Sequence, residues 1–226
     1  MNDTAMRVNS LVKTYTRGSE TIRAVDGVSL DIDSGEMLAI MGRSGAGKTS
    51  LLSCIGLLEG FDSGKLSVLG HDMSDLTEAK RTINRRSMLG FVFQRFFLLP
   101  TLTAYENVSL PFLFSGKRAN KERVLSLLET VGLSERIYHK PSQMSGGEMQ
   151  RVAIARALAL DPPIIIADEP TGNLDSKNAD KMFALFEDLA NKGKTIIIAT
   201  HSKSLADRCH RVVELSDGRK VRDEKN

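Results

Sequence analysis

The chain has no tryptophan, three tyrosines and only two cysteines among its 226 residues. So few cysteines exclude a disulfide-stapled scaffold, and Cys54 and Cys209 lie too far apart to match any metal-ligand spacing. They are expected to be two unpaired thiols in a reducing compartment. No apolar run approaches the roughly 20 residues that span a bilayer, and no apolar signal region opens the N-terminus. Excess charge of one sign is also missing. The 31 Lys and Arg against 28 Asp and Glu leave a net +3, no bulk argument for nucleic acid or an anionic membrane. No repeat or low-complexity segment occurs. What remains is 41% hydrophobic and 26% charged, enough for one large domain, or a domain with a subdomain, burying a full core. These features point to the cytoplasm.

The stretch Gly42-Arg43-Ser44-Gly45-Ala46-Gly47-Lys48-Thr49 stands out against that background. It follows the apolar run Met37–Met41 and precedes Ser50-Leu51-Leu52-Ser53-Cys54-Ile55, apolar at helical spacing, with a helix expected to about Leu58. Strand, glycine-rich loop and helix in that order form a phosphate-binding site. The glycines let successive backbone N–H groups point at an anion, which also meets the positive end of the helix. Lys48 can reach the outer phosphates, and the Thr49 hydroxyl can ligate Mg²⁺.

Upstream, Val28–Ile32 alternates as a strand, a turn covers Asp33–Glu36, and Tyr15 stands near the end of the first strand, on its own a packing residue. Downstream, a strand Lys65–Leu69, a polar helix Thr77–Arg86 and a strand Gly90–Phe93 lead to Gln94. Residues 95–144 then change character. Phe96-Phe97-Leu98-Leu99-Pro100 is an apolar cluster, Thr103–Glu106 has capping-box spacing, and a basic helix from Lys117 runs to a stop at Gly132. This is a block of helices inserted between strands. Ser145-Gly146-Gly147-Glu148 forms a second capping box, opening a helix to Leu160. Two glycines there cost about 1 kcal/mol each relative to alanine, which implies that something approaches the backbone. Ile164–Ala167 is a buried strand ending in Asp168-Glu169, a helix covers Ser176–Lys192, and the strand Thr195–Ala199 ends at Thr200-His201. A strand at Val212–Leu215, a turn and a charged tail close the chain.

In an open parallel sheet, ligands bind beyond the carboxyl ends of the strands. Gln94, Asp168, Glu169 and His201 therefore converge near the phosphate loop. Asp168 suits a water-mediated Mg²⁺ contact, Glu169 suits a base that orients attacking water, and His201 suits a γ-phosphate hydrogen bond. His139 and His210 read as structural.

Taken together, Gly42–Thr49, Gln94, the run Ser145-Gly146-Gly147-Glu148-Met149-Gln150, Ile164–Glu169, Asn173-Leu174-Asp175 and His201 resemble an ATP-binding-cassette (ABC) ATPase over essentially the whole chain. The Ser-Gly-Gly-x-x-Gln run discriminates this family from small GTPases and adenylate kinases. The resemblance implies an α/β fold: a P-loop NTPase core, an ABC-type antiparallel β-subdomain and an inserted α-helical subdomain. It implies one domain over 1–226, with core and β-subdomain at 1–94 and 146–226 and helices at about 95–145. It implies ATP and Mg²⁺, with Thr49, Gln94 and Asp168 at the metal and Lys48, Gln94, Glu169 and His201 in catalysis. Nucleotide contacts fall to Gly42, Ser44, Gly45, Ala46, Gly47, Lys48, Thr49, Ser50 and an adenine-stacking Tyr15. Ser145, Gly146, Gly147, Glu148 and Asp175 complete the site across a head-to-tail dimer of two copies, and Gln94 couples to a membrane permease.

Phe93–Pro111 and Asp168–Asp175 look most like the lipoprotein-releasing and macrolide-exporting (LolD/MacB-type) group. That places the chain on the inner face of a membrane through its permease, exporting a lipoprotein, peptide, antibiotic or haem-like amphiphile. Phe96–Pro100 would line the groove that receives the permease. The alternative is a cell-division type regulator that signals without transport. Cassette ATPases of DNA or ribosomes carry long arms or paired cassettes, for which the stretch between Gln94 and Ser145 leaves no room, so no nucleic acid is expected. Arg43, Met144 and Met149 depart from the group's common residues without removing a required group.

Overall fold

The computed structural model describes residues 4–226. Two long strands, β1 (Thr4–Arg17) and β2 (Glu20–Asp33), pair antiparallel and join β4 (Ser63–Val68) and β5 (His71–Asp72) in a four-stranded sheet of order β2-β1-β4-β5. The second sheet has six strands. Its members are β3 (Met37–Met41), β6 (Leu89–Phe93), β7 (Ile164–Asp168), β8 (Thr195–Ala199), β9 (Arg211–Ser216) and β10 (Arg219–Lys225), in the order β10-β9-β3-β8-β7-β6. Pairing is parallel from β9 to β6, and β10 lies antiparallel at the edge.

The continuous apolar runs of β3, β7 and β8 belong to strands buried on both faces, where neighbours point to opposite sides. Ala39, Ile165, Ala167, Ile196 and Ile198 join a core beneath the helical block, whereas Leu38, Ile40, Ile166 and Ile197 join one shared with the antiparallel sheet. Helix α1 (Lys48–Ile55) follows β3, and α2 (Glu78–Met88) precedes β6. The helical block contributes α3 (Ala104–Phe114), α4 (Lys121–Thr130) and two single 3-10 turns before α5 (Gly146–Ala157). Helix α6 (Ser176–Asn191) leads to β8, and the short α7 (Lys203–Ala206) to β9.

Several boundaries differ from the sequence reading. Helix α1 ends at Ile55 because Gly56 caps it and Leu57 turns left-handed, so the expected extension to Leu58 is a turn. The basic stretch Lys117–Asn120 is not helical; Asn120 caps α4 by accepting from Arg123 N–H, and Gly132, with φ +69, supplies the expected left-handed stop. Helix α5 stops at Ala157 rather than Leu160. The charged tail is β10: Asp223 accepts from Arg211 and Lys220, and that pairing outweighs its polar composition. No helix among the described residues is long and apolar enough to cross a membrane.

Candidate functional site

The loop between β3 and α1 opens onto a cavity of about 670 Å³ lined by Ser44, Gly45, Ala46, Gly47, Lys48, Thr49 and Ser50, with Gln94, Glu169 and His201 opposite. That volume suits a nucleotide-sized ligand. Gly47 has φ +97, and a Cβ there would lie 2.1 Å from the carbonyl oxygen of Ala24, so no other residue fits. Gly42 is not in the lining; its carbonyl accepts from Lys48 Nζ at 2.8 Å, and that of Arg43 at 3.3 Å. The ammonium is thereby held over its own loop. The exposed Arg43 side chain has no hydrogen bond or ion pair among the described residues, and nothing in the structure explains its presence.

The sheet brings the four strand-end residues together as expected. Thr49 Oγ1 donates to Asp168 Oδ2 at 2.9 Å, and Asp168 Oδ1 is buried without a hydrogen-bond partner. Burial raises the pKa of Asp168, opposed by the Thr49 hydrogen bond and the nearby Lys48 charge. Asp168 lies outside the lining of that cavity and, with Thr49 and Gln94, lines a neighbouring one of about 370 Å³. Its orphaned carboxylate oxygen, a hydroxyl that keeps free lone pairs and the Gln94 amide oxygen make an all-oxygen donor set. It fits a small hard cation that takes most of its ligands from phosphate and water.

Glu169 lies just past the end of β7 with φ +46, a left-handed conformation held by its N–H donating to the Ala199 carbonyl at 2.9 Å. That turn aims its carboxylate at two groups. Oε1 is 3.8 Å from Lys48 Nζ, and Oε2 is 2.9 Å from Nδ1 of the exposed His201. In the tautomer that carries its proton on Nδ1, His201 donates this hydrogen bond to the Glu169 carboxylate.

Tyr15 lies outside the cavity lining; its hydroxyl donates to Glu59 at 2.7 Å and Lys13 sits 5.1 Å from its ring centroid. Ser145 and Glu148 form the expected capping box of α5, and Glu148 also accepts from Arg136 at 3.1 Å. These bonds, led by that from Ser145 N–H, lower the Glu148 pKa. Glu148 spends its charge on its own cap and on Arg136, while Gly146 and Gly147 occupy the first turn, whose N–H groups lack helical acceptors. Ser145, Gly146, Gly147, Glu148 and Asp175 all lie outside the cavity lining of their own chain. Asp175 caps α6 by accepting from Asn178 N–H at 2.9 Å.

Residues 25–172 match the family described as ABC transporter. The chain belongs to the ABC ATPases. It is 49% identical over 214 residues, 94% of its length, to a "Macrolide export ATP-binding/permease protein MacB" of Chlorobium phaeobacteroides, of which the match covers 33%. The chain spans about a third of the macrolide exporters it matches. It is 46% identical to a "Lipoprotein-releasing system ATP-binding protein LolD" of Novosphingobium aromaticivorans, covering 96% of this chain and 99% of that one. Among solved structures it matches a dimeric ATP-binding cassette in a post-hydrolysis state bound to ADP and Pi. The TM-score is 0.91 and identity 42%, over 97% of this chain and 98% of that one.

As an ABC ATPase the chain binds and hydrolyses ATP, and its fold is the P-loop NTPase arrangement with an antiparallel sheet and inserted helices. Some features of the cassette escaped sequence reasoning. Ile22, Arg23, Asp217 and Gly218 wall the cavity, because the β9–β10 turn packs on the phosphate loop: Gly218 N–H donates to Ala46 and Asp26 N–H to Gly218. The pairing of β10 with β9 was the missing signal. At Gly147, a Cβ would lie 3.0 Å from Asn178 Cγ, so this glycine already accommodates a neighbour within the chain, whereas Gly146 is open at 3.8 Å.

Proposed function

We propose that this cassette hydrolyses ATP at two composite sites in a head-to-tail homodimer, and that the cycle drives a membrane permease of the lipoprotein-releasing or macrolide-exporting kind. The single observation that carries the dimer is the split site. Phosphate loop, Glu169 and His201 share one cavity, while the glycine-rich start of α5 faces elsewhere. Gly146 and Gly147 N–H groups suit the γ-phosphate held by a second copy, anion binding at a helix N-terminus. Dimeric solved cassettes support the same reading.

Within a site, Lys48 leaves the Gly42 and Arg43 carbonyls for the outer phosphates, and Ser44–Thr49 cradle them with backbone N–H groups. Thr49, Asp168 and Gln94 would hold Mg²⁺, which when bound neutralises phosphate charge. Water attacks the γ-phosphorus and gives its proton to Glu169. The bond from γ-phosphorus to the bridging oxygen breaks, leaving ADP and inorganic phosphate. His201 Nδ1–H holds the Glu169 carboxylate in place. Tyr15 contributes a ring at the outer edge of the site for the base. Of the cluster Phe96–Pro100, the exposed Phe97 lines a groove together with Phe91, Phe93 and the exposed Phe114, and that groove is the surface for the permease. Loss of the γ-phosphate frees the two copies, coupling the chemistry to motion. Lipoproteins, peptides, antibiotics and haem-like amphiphiles are the candidate cargoes.

The test is complementation between two defective chains. Lys48→Ala removes the phosphate cation and Ser145→Arg blocks the start of α5, so each alone is inactive. Mixed, they form one intact site per heterodimer, and ATPase activity returns. A mixture as inactive as its components, although both bind each other, would rule out the head-to-tail arrangement.

A further inference from the structure

Gln150 is the one fully buried side-chain amide on α5, with 0% of its surface exposed. Its Nε2 donates to the Pro170 carbonyl at 2.9 Å and to the Phe93 carbonyl at 3.3 Å. Pro170 directly follows Glu169, and Phe93 directly precedes Gln94. One NH₂ group therefore joins the glycine-rich helix to both loops that carry the strand-end chemistry. The amide orientation is not arbitrary: both neighbours are carbonyl oxygens, so only the NH₂ end can face them. Its Oε1 is buried with no donor among the described residues. A position kept only for packing would avoid that orphan with an apolar residue of similar shape.

The Gln94 loop is tied at further points. Gln94 O accepts from Asn173 at 2.9 Å, Phe96 O from Arg156 at 2.8 Å and Phe97 O from Arg156 at 2.5 Å. Arg156 also sits on α5, so two side chains of that helix hold three carbonyls of this loop. Phe97 itself has φ +47, a conformation a bulky residue keeps only when its surroundings impose it. Gln150 differs from Arg156 in reaching the Glu169 loop as well.

We propose that Gln150 is a positioning residue for hydrolysis, fixing the loops of Glu169 and Gln94 to the helix that faces the second copy. This rests on the reading of Glu169 and Gln94 as site residues. Movement of α5 on docking is carried to both loops by one amide, so the base is placed when the partner's phosphate engages the helix. ATP binding by the phosphate loop alone does not need it.

The test compares Gln150→Met, which keeps the volume but removes both donors, with the parent chain and with Glu169→Gln. Turnover and the affinity for ATP are measured separately on the full chain. The expected result is a kcat lowered about tenfold or more with ATP affinity within about twofold, since small misplacements of catalytic groups act on the chemical step. A kcat near that of the parent, or a parallel loss of affinity, overturns the proposal. Should Gln150→Met not fold, Gln150→Glu serves. Its acid donates one hydrogen bond when protonated and none when ionised, so its turnover relative to the parent rises as pH falls. A flat ratio overturns the proposal. Glu169→Gln that keeps turnover overturns the underlying site reading, whatever Gln150→Met does. Loss in Glu169→Gln alone, with Gln150→Met active, overturns only the role of Gln150.

Discussion

Replacing Glu169 by Gln should slow hydrolysis and tighten ATP binding at once, and the second effect follows from the geometry. Glu169 Oε1 is 3.8 Å from Lys48 Nζ, and both side chains are largely buried. At an effective dielectric of about 20, unit charges at that separation attract by about 4 kcal/mol. ATP phosphates and Glu169 compete for one ammonium, so part of that attraction must be given up on binding. In Glu169→Gln the ammonium keeps only the neutral carbonyls of Gly42 and Arg43. If a third of the Coulomb energy is recovered, about 1.4 kcal/mol, ATP affinity rises about tenfold. Loss of repulsion between the carboxylate and the γ-phosphate acts in the same direction. Turnover falls by about 10²–10⁴, the usual worth of a positioned base. Calorimetric titration gives the affinity, phosphate release gives the rate, and gel filtration reports the ATP-loaded dimer. A rate within a few-fold of the parent refutes the base assignment. Slow turnover with unchanged or weaker ATP binding refutes the electrostatic argument and leaves the base in place.

Two further predictions concern regions away from the nucleotide. Hydrogen bonds from Arg211, with help from Lys220, hold Asp223 at a pKa of about 2 against an ordinary 3.8. The depressed value means stabilisation fully present above 3.8 and lost as pH falls through about 2. Asp223→Asn should then cost about 2 kcal/mol at neutral pH in urea unfolding, a difference that closes in acid. Curves that stay equally separated down to pH about 2 would sink this account. Burial pushes the Cys54 and Cys209 thiols up to about 12, so neither should react with a disulfide reagent until the chain unfolds. Rapid labelling of the native protein contradicts that.

Most of the fold was legible because its signals are local. The runs at Met37–Met41, Ile164–Ala167 and Thr195–Ala199 are short, aliphatic and closed by polar residues, and all three became central strands. Both capping boxes appeared where Ser or Thr stands three residues before Glu. What escaped depends on pairing between distant segments. Strand β10 is polar apart from the exposed Val221 and reads as a tail; only its register against β9, and the grip of Arg211 on Asp223, make it a strand. The walls formed by Arg23 and Asp217 follow from that pairing and were invisible for the same reason. Tyr15 was assigned by resemblance, and the structure gives it a hydrogen bond to Glu59 outside the cavity lining. Gln150 was legible as the last residue of the Ser-Gly-Gly-x-x-Gln run, but its hydrogen bonds to the Phe93 and Pro170 carbonyls, made from the buried face of α5, depend on distant segments and were not.

Some of the molecule's energetic imperfections lie at the nucleotide-facing end of the parallel sheet. Three buried side-chain polar atoms lack partners among the described residues, and two of them, Asp168 Oδ1 and Gln150 Oε1, belong to this end. Glu169 and Phe97, bracketing the same region, both adopt left-handed backbone that costs on the order of 1 kcal/mol or more in a residue with a side chain. Each is over-determined by bonds from elsewhere: Glu169 through β8, Phe97 through Arg156. A core built only for stability would relax such features, since an orphaned polar atom and a strained turn are each worth about as much as a good hydrogen bond. Their persistence at this end of the sheet, beside central strands β3, β7 and β8 that are largely apolar and paired on both sides, fits a site whose missing partners are supplied by ligand and by a second chain.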